Sequence, residues 1–453
     1  GGCARRGPAP RPNFLFILAD DHRYDAHSCA GHPWLRTPAL DKVAASGVRF
    51  SNAFVTTSLC SPSRGSFLTG CYAHAHGVVA NETQDPDPAL PAFPLLLQQA
   101  GYETAFIGKW HMARWATPRP GFDSWTSFHG QGDYARNTLN VDGLWTLSQQ
   151  YVTSELTVRA DAFLRRPRRR PFLLWLSHKA VHEPFTPEPK HARLYEDVAV
   201  PDAPGGGDRL DLKPPWDTRP PGRDRTSILR DYARSLASVD DSVGTLMRTL
   251  AETGQLDDTV VVYASDNGML WGEHGGLWDK RAAYEPSIRI PLLMAYPRLI
   301  RRRQVCRETA LNIDLAPTLL DLAGVAPPDA MQGRSWLPLL RGERGREALL
   351  YEYFAEMGQV PTTLAVRSRR WKFITYPHSP DWPSELYDLQ DDPGELVNLA
   401  VDPGHAADVA RLYDELAALQ AQTGFRYPRD AGPAAPTAPP AGISAPDAPA
   451  GSM

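Results

Sequence analysis

Cysteine is scarce: five in 453 residues, an odd number scattered over the chain. That excludes a disulfide framework as the device holding the fold. An excess of one charge is also missing, since Lys+Arg number 48 against Asp+Glu 52, a formal net charge of -4. A general nucleic-acid binder normally carries a basic excess, so that class is set aside. No apolar run approaches the ~20 residues of a membrane-spanning helix. The longest, such as Asn13 to Ala19, suit buried strands. No internal repeat is visible, and arginine outnumbers lysine so heavily that we read compositional bias rather than function. Length allows about two or three domains and easily one large core.

The two ends differ from the rest. Gly1-Gly2-Cys3 fits the remnant of a lipoprotein signal whose cleavage leaves a lipid-bearing Cys3, although a plain fragment boundary is the simpler explanation. Residues 429–453 are rich in Pro, Ala and Gly with almost no large apolar side chain, which predicts a disordered tail.

Between the ends, strands and helices alternate. Asn13 to Ala19 reads as a strand stopped by Asp20-Asp21. Thr37 with Pro38 looks like a helix start, and Gly47 its end. Glu103–Ile107, Pro171–Ser177, Thr259–Ser265 and Pro291–Ala295 read as strands; Leu147–Leu164, Ile228–Glu252 and Ile313–Leu322 read as helices. Strands apolar on both faces and interleaved with helices imply an α/β fold, a mostly parallel sheet covered on both sides. We expect this domain over 12–345. A smaller α+β domain follows over 346–428, with short strands at Leu349–Phe354, Thr362–Val366 and Trp371–Thr375 and a closing helix at His405–Thr423.

In such sheets ligands bind beyond the carboxyl ends of the strands. Asp20, Asp21, His178, His182, Asp266 and Asn267 all follow expected strands. Either Asp20-Asp21 or Asp266-Asn267 alone would usually be a turn or a helix cap. Together they offer four hard oxygen-bearing side chains, a set suited to calcium or magnesium rather than zinc. Clustered carboxylates repel, so a divalent cation is their natural partner.

Cys60-Ser61-Pro62-Ser63-Arg64, followed by Leu68-Thr69-Gly70, resembles the type I sulfatase signature. Pro62 can start a helix following Cys60, placing that side chain near a helix N-terminus favourable to anions, with Arg64 one turn on. The resemblance extends over about residues 12 to 400. Gly108-Lys109-Trp110-His111 matches the family's G-K-W-H segment, Ser177 to Pro184 its histidine-bearing segment, and Gly272 to Lys280 the segment with a second sulfate-binding lysine. Glu385 to Leu389, Asp392-Pro393 and Glu395 to Leu399 resemble the ending of carbohydrate sulfatases. Departures at Ala113, the Gly275-Gly276 run and Pro286 touch no expected ligand. They bear on loop shape and substrate fit.

The resemblance implies an alkaline-phosphatase-like fold and sulfate-ester hydrolysis. Cys60 would be converted to formylglycine by a formylglycine-generating enzyme, its hydrated aldehyde being the nucleophile. Asp20, Asp21, Asp266 and Asn267 would hold one calcium ion with the converted Cys60. Arg64, Lys109 and Lys280 would bind the sulfate. His182, with Lys280, would protonate the leaving alcohol, and His111 would help release sulfate from the nucleophile. His178 is either a neighbour of the site or structural. The stretch from Asn52 to Thr57 through His74 to Val78 looks most like the glucosamine-6-sulfatase branch, which favours a sulfated saccharide, with an N-acetylglucosamine 6-sulfate terminus as the specific expectation. Such a substrate suits a periplasmic or secreted enzyme. A phosphonate or phosphate diester hydrolase, and a non-catalytic calcium-dependent glycan-binding protein, are the rivals. Arg165 to Arg170 could attract a sulfated polymer or be a solvated loop. Trp115, Trp125 and Trp382 are candidate sugar platforms, and Asn81-Glu82-Thr83 is a glycosylation sequon without further meaning here.

Overall fold

The computed structural model describes residues 11–205, 213–214, 222–355, 360–379 and 381–428. Cys3 and the expected tail lie outside the described residues. β1 (Asn13–Ala19) runs through the middle of a ten-stranded sheet. It pairs in parallel with β8 (Thr259–Ser265) on one side and β7 (Phe172–Ser177) on the other. β3 (Glu103–Lys109) and β4 (Ser124–Phe128) continue the parallel array beyond β7. On the far side of β8 lies β11 (Leu292–Ala295), antiparallel to its neighbours, then β2 (Val48–Phe54) and β12 (Gln304–Leu311).

Why β1 reads as an unbroken apolar run is visible in its packing. Successive side chains point to opposite faces of a strand. Leu15 and Ile17 enter a core shared with Leu156, Leu236 and Val243 of the helices Val152–Arg165 and Arg225–Glu252. Phe14, Phe16 and Leu18 enter the opposite core, with Phe67, Trp175 and Leu319. A strand covered on both faces has no polar side to show.

The Pro38–Ala45 helix does start at Thr37, but the Thr37 side chain does not cap it. The carboxylate of Asp240 takes the Ala39 and Leu40 amides instead, at 3.0 and 2.9 Å. Its C-cap is Ser46, one residue before Gly47. A larger difference lies at Leu147–Leu164. The helix begins only at Val152, and the residues before it form a hairpin of β5 (Asn137–Val141) and β6 (Leu144–Ser148) at the sheet's edge. Asp142 and Gly143 make the turn with φ of 49° and 94°. This is the Asp-Gly pairing that two-residue hairpins prefer, because both turn residues need positive φ.

A ribbon of β9 (Leu270–Gly272) and β10 (Leu277–Asp279) stands after β8. The smaller C-terminal unit is a four-stranded antiparallel sheet, β13 (Ala348–Tyr353), β14 (Thr363–Ser368), β15 (Trp371–Thr375) and β16 (Glu385–Asp388). The helix Ala406–Thr423 packs on it through Leu412 and Leu416. No helix among the described residues is long and apolar enough to cross a membrane.

Candidate active site

Because β1, β3, β7 and β8 are parallel, their carboxyl ends share one edge. Asp20 and Asp21 follow β1, Lys109 ends β3, His178 follows β7, and Asp266 and Asn267 follow β8. All six are buried. Cys60 comes to this edge from another direction, as the first residue of the helix Cys60–Thr69. That helix starts two residues before Pro62, so Cys60 itself occupies the amide-rich N-terminus. The Ser61 amide donates to Asn81 Oδ1 at 3.0 Å.

The charges pair closely. Arg64 Nε and Nη2 donate to Asp266 Oδ2 at 3.0 and 2.7 Å. Its Nη1 donates to Ser177 Oγ at 2.6 Å and to the Lys109 carbonyl at 2.7 Å. Lys109 Nζ donates to Asp20 and to Gln131. Lys280 Nζ reaches both oxygens of Asp21, at 2.6 and 2.7 Å. Burial disfavours a charged carboxylate, yet Lys109, His182 and Arg64 hold Asp20 well below the usual carboxylate range, and Lys280 draws Asp21 down. Asp266 goes the other way, pushed up to about 6 by burial and by the charge of Asp20. Burial and Asp20 push the Cys60 thiol well up, so as an unmodified thiol it is a poor nucleophile.

Ligand atoms of Asp20, Asp21, Cys60 and Asp266 lie within 4.8 Å of one another. Asn267 Nδ2 donates to Asp21 Oδ1 at 2.6 Å, while the buried Asn267 Oδ1 has no hydrogen-bond partner among the described residues. A buried acceptor left unpaired beside three carboxylates is what a hard cation would satisfy.

The two expected proton-handling histidines sit at this cluster. His111 Nε2 lies 3.0 Å from Glu82 Oε1, and its Nδ1 is 3.4 Å from Ser61 Oγ. His182 Nδ1 donates to the Glu183 carbonyl at 2.8 Å, and its Nε2 lies 3.7 Å from Asp21 Oδ2. Burial and Lys280 lower His182 to about 4; burial, Lys109 and Arg64 lower His111 well below its usual value. His178 is elsewhere: buried against the long helix, its Nε2 is 3.1 Å from Ser242 Oγ. Asp21 and His111 take φ of 58° and 63°, and Lys280 is flanked by Asp279 at 78° and Arg281 at 81°. Such left-handed backbone in non-glycine residues gathers where a side chain must be aimed.

Four partners were not anticipated as site residues: Ser61, Glu82, Gln131 and Ser177. Ser61 and Ser177 stand inside the quoted motifs. Glu82 stands inside the sequon, while nothing local singles out Gln131.

The family profile described as "Sulfatase" matches residues 12–325, and one described as "N-sulphoglucosamine sulphohydrolase, C-terminal" matches residues 272–422. The N-acetylglucosamine-6-O-sulfatase of Bacteroides thetaiotaomicron is 32% identical over 92% of this chain and 87% of its own length. A solved protein in complex with its substrate D-glucosamine-2-N,6-O-disulfate is 30% identical, with a TM-score of 0.81 over 93% of this chain and 99% of that one. The phosphonate monoester hydrolase of Agrobacterium radiobacter shares the fold, at TM-score 0.78 and 22% identity over 91% of this chain and 96% of that one.

Proposed function

The chain belongs to the sulfatase family and is a sulfuric ester hydrolase, and from that premise we propose that it removes sulfate from a sulfated sugar, a 6-sulfated N-acetylglucosamine terminus being the favoured substrate. The observation that carries this reading is Cys60. It opens a buried helix with Sγ 3.4 Å from Asp20 Oδ1, among three buried cations, Arg64, Lys109 and Lys280. Relatives named for sulfated glucosamines support the sugar. A non-catalytic glycan-binding role gives way to family membership.

Asp20, Asp21, Asp266 and Asn267, with position 60, would hold a calcium ion, whose charge would offset that of the sulfate oxygens. The family uses formylglycine, made from the cysteine of this motif, as the source of its nucleophile. Cys60 is fully buried, so a formylglycine-generating enzyme would have to reach it before the chain closes. Arg64, Lys109 and Lys280 bind the sulfate and neutralise it in a site from which water is excluded. A carbonyl only accepts, so the proton on His182 Nδ1 is fixed by Glu183 and Nε2 is free to carry a second. The negative charge of a bound sulfate ester raises the proton affinity of Nε2, which then delivers that proton to the departing alcohol. Tyr134 holds this segment by donating to the His182 carbonyl at 2.5 Å. His111, oriented by Glu82, handles the proton on the nucleophile's side. A sulfated polysaccharide is met outside the cytoplasm, which supports periplasmic or secreted action.

The test is turnover by protein whose Cys60 conversion has been confirmed by mass. Sulfate release from 6-sulfated N-acetylglucosamine is the expected result. Converted protein that cleaves phosphonate or phosphate diesters but no sulfated sugar would overturn the reading.

A further inference from the structure

An aromatic surface at the rim of this site has no part in the chemistry above. Of the three tryptophans singled out in the sequence, Trp125 is core, but Trp115 is 62% exposed. Trp145, on the edge hairpin, is 44% exposed. His129 joins them, stacked on Trp145 at 4.5 Å and edge-on to Trp115 at 5.5 Å. The arrangement is held in place from behind. Arg119 Nη2 donates to the Trp115 carbonyl at 2.8 Å, and His129 Nδ1 donates to the Arg114 carbonyl at 3.2 Å.

The loop that carries His129 runs on into the site through Gly130 and Gln131. Gly130, next to His129, lies against the Glu82 carboxylate that orients His111. Gln131 accepts from Lys109. The Arg114 guanidinium stands 5.9 Å from the Trp115 ring centroid and has no ion pair among the described residues. Exposed aromatic rings beside a free cation suit a ligand with both an apolar ring face and an anionic substituent. A sulfated or uronic sugar has both.

We propose that Trp115, His129, Trp145 and Arg114 form a subsite for the sugar adjoining the one whose sulfate is hydrolysed. It follows that the enzyme prefers an oligosaccharide to a monosaccharide. This rests on the carbohydrate-sulfatase reading of the site.

The experiment compares kcat/KM for 6-sulfated N-acetylglucosamine with that for a sulfated tetrasaccharide ending in the same residue. Wild type should favour the tetrasaccharide. In Trp115→Ala that preference should fall about tenfold, through KM, which is the scale of one stacking contact. Trp115→Phe, which keeps a ring, should retain most of it. Arg114→Gln should weaken it only for tetrasaccharides anionic at the second sugar. Equal preference in wild type and Trp115→Ala, with both proteins active, would overturn the subsite while leaving the proposed function intact. If converted wild type turns over neither sugar, the function itself has failed. Binding then decides the subsite: quenching of tryptophan fluorescence by the unsulfated tetrasaccharide should be lost in Trp115→Ala. Absent or unaltered quenching would overturn it.

Discussion

At His182 the proton geometry makes a sharp test. A departing sugar alkoxide needs protonation, whereas a nitrophenolate is stable as an anion. General acid catalysis contributes ~10²–10⁴-fold, so His182→Ala should lose about that much on a sulfated sugar and under about tenfold on nitrophenyl sulfate, compared as single-turnover rates. His178→Ala should show no such contrast, because that ring packs against Ser242 in the interior and its loss is one of stability. Equal losses on both substrates for His182→Ala would mean the acid lies elsewhere. The contrast between these two histidines also shows what the sequence could convey. Four residues apart in one motif, they were told apart by the resemblance only so far as to give the acid to His182, with His178 left open between a neighbour of the site and a structural residue. The turn after β7 separates them, sending one ring into the core and the other to Asp21. Glu82 and Gln131 were illegible for the same reason: each reaches the site on a loop, through long-range contacts that leave no local pattern.

Among the elements, the join of β3 to β7 is where packing and chemistry meet. Gly108 has φ +122°, and a Cβ there would stand 1.8 Å from the Ser177 carbonyl oxygen. Backbone cannot yield as a flexible side chain does, so Gly108→Ala should destabilise by about 1–3 kcal/mol or more. Urea unfolding measures it. Activity should fall further than stability, since Lys109 and Ser177 are displaced together; a silent Gly108→Ala would contradict this packing. A second join ties the short helix Ala73–His76 to the C-terminal unit. His74 Nδ1 lies 2.6 Å from Glu352 of β13, and its Nε2 meets the carbonyl of Thr423 on the last helix. Burial works against the charged ring, but Glu352 and that carbonyl outweigh it and raise its pKa. A raised folded value means the contribution is fully present below the unfolded histidine value of about 6.5 and is lost as pH rises through the folded one. Stability should therefore decline above neutrality, and a His74→Gln protein should lack that part of the decline. An unchanged pH profile in the variant would remove His74 from the account. The strands covered on both faces were legible as apolar runs. The half-polar β2 and β12, and the exposed β6, carry no such run, and the Asp142-Gly143 turn was the one signal that could have found the edge hairpin.

For the molecule as a whole, the cluster of Asp20, Asp21, Asp266 and Cys60 ties together segments far apart in the chain: the ends of β1 and β8 and the start of the Cys60–Thr69 helix. The unfolded chain has no such assembly, so an ion bound there stabilises only the folded state. With free calcium about 100 times its dissociation constant, the gain is ~2.7 kcal/mol. Spread over the unfolding entropy of a chain this long, at roughly 2.1 cal/mol/K per residue, that corresponds to about 3 °C in Tm. Chelation should lower the wild-type Tm by that order and abolish turnover. Asp266→Ala removes one ligand and also the nearer of the two carboxylates that pair with the buried Arg64, leaving Asp20 at 3.3 Å. Its Tm should start lower and no longer respond to calcium, with both effects read in one pair of thermal scans. Zinc, which prefers nitrogen and sulfur ligands, should not reproduce the shift at equal concentration. A calcium response that survives Asp266→Ala at full size would place the ion outside the carboxylates at the ends of β1 and β8. The oxygen set would then be explained by its ion pairs with Arg64, Lys109 and Lys280 alone.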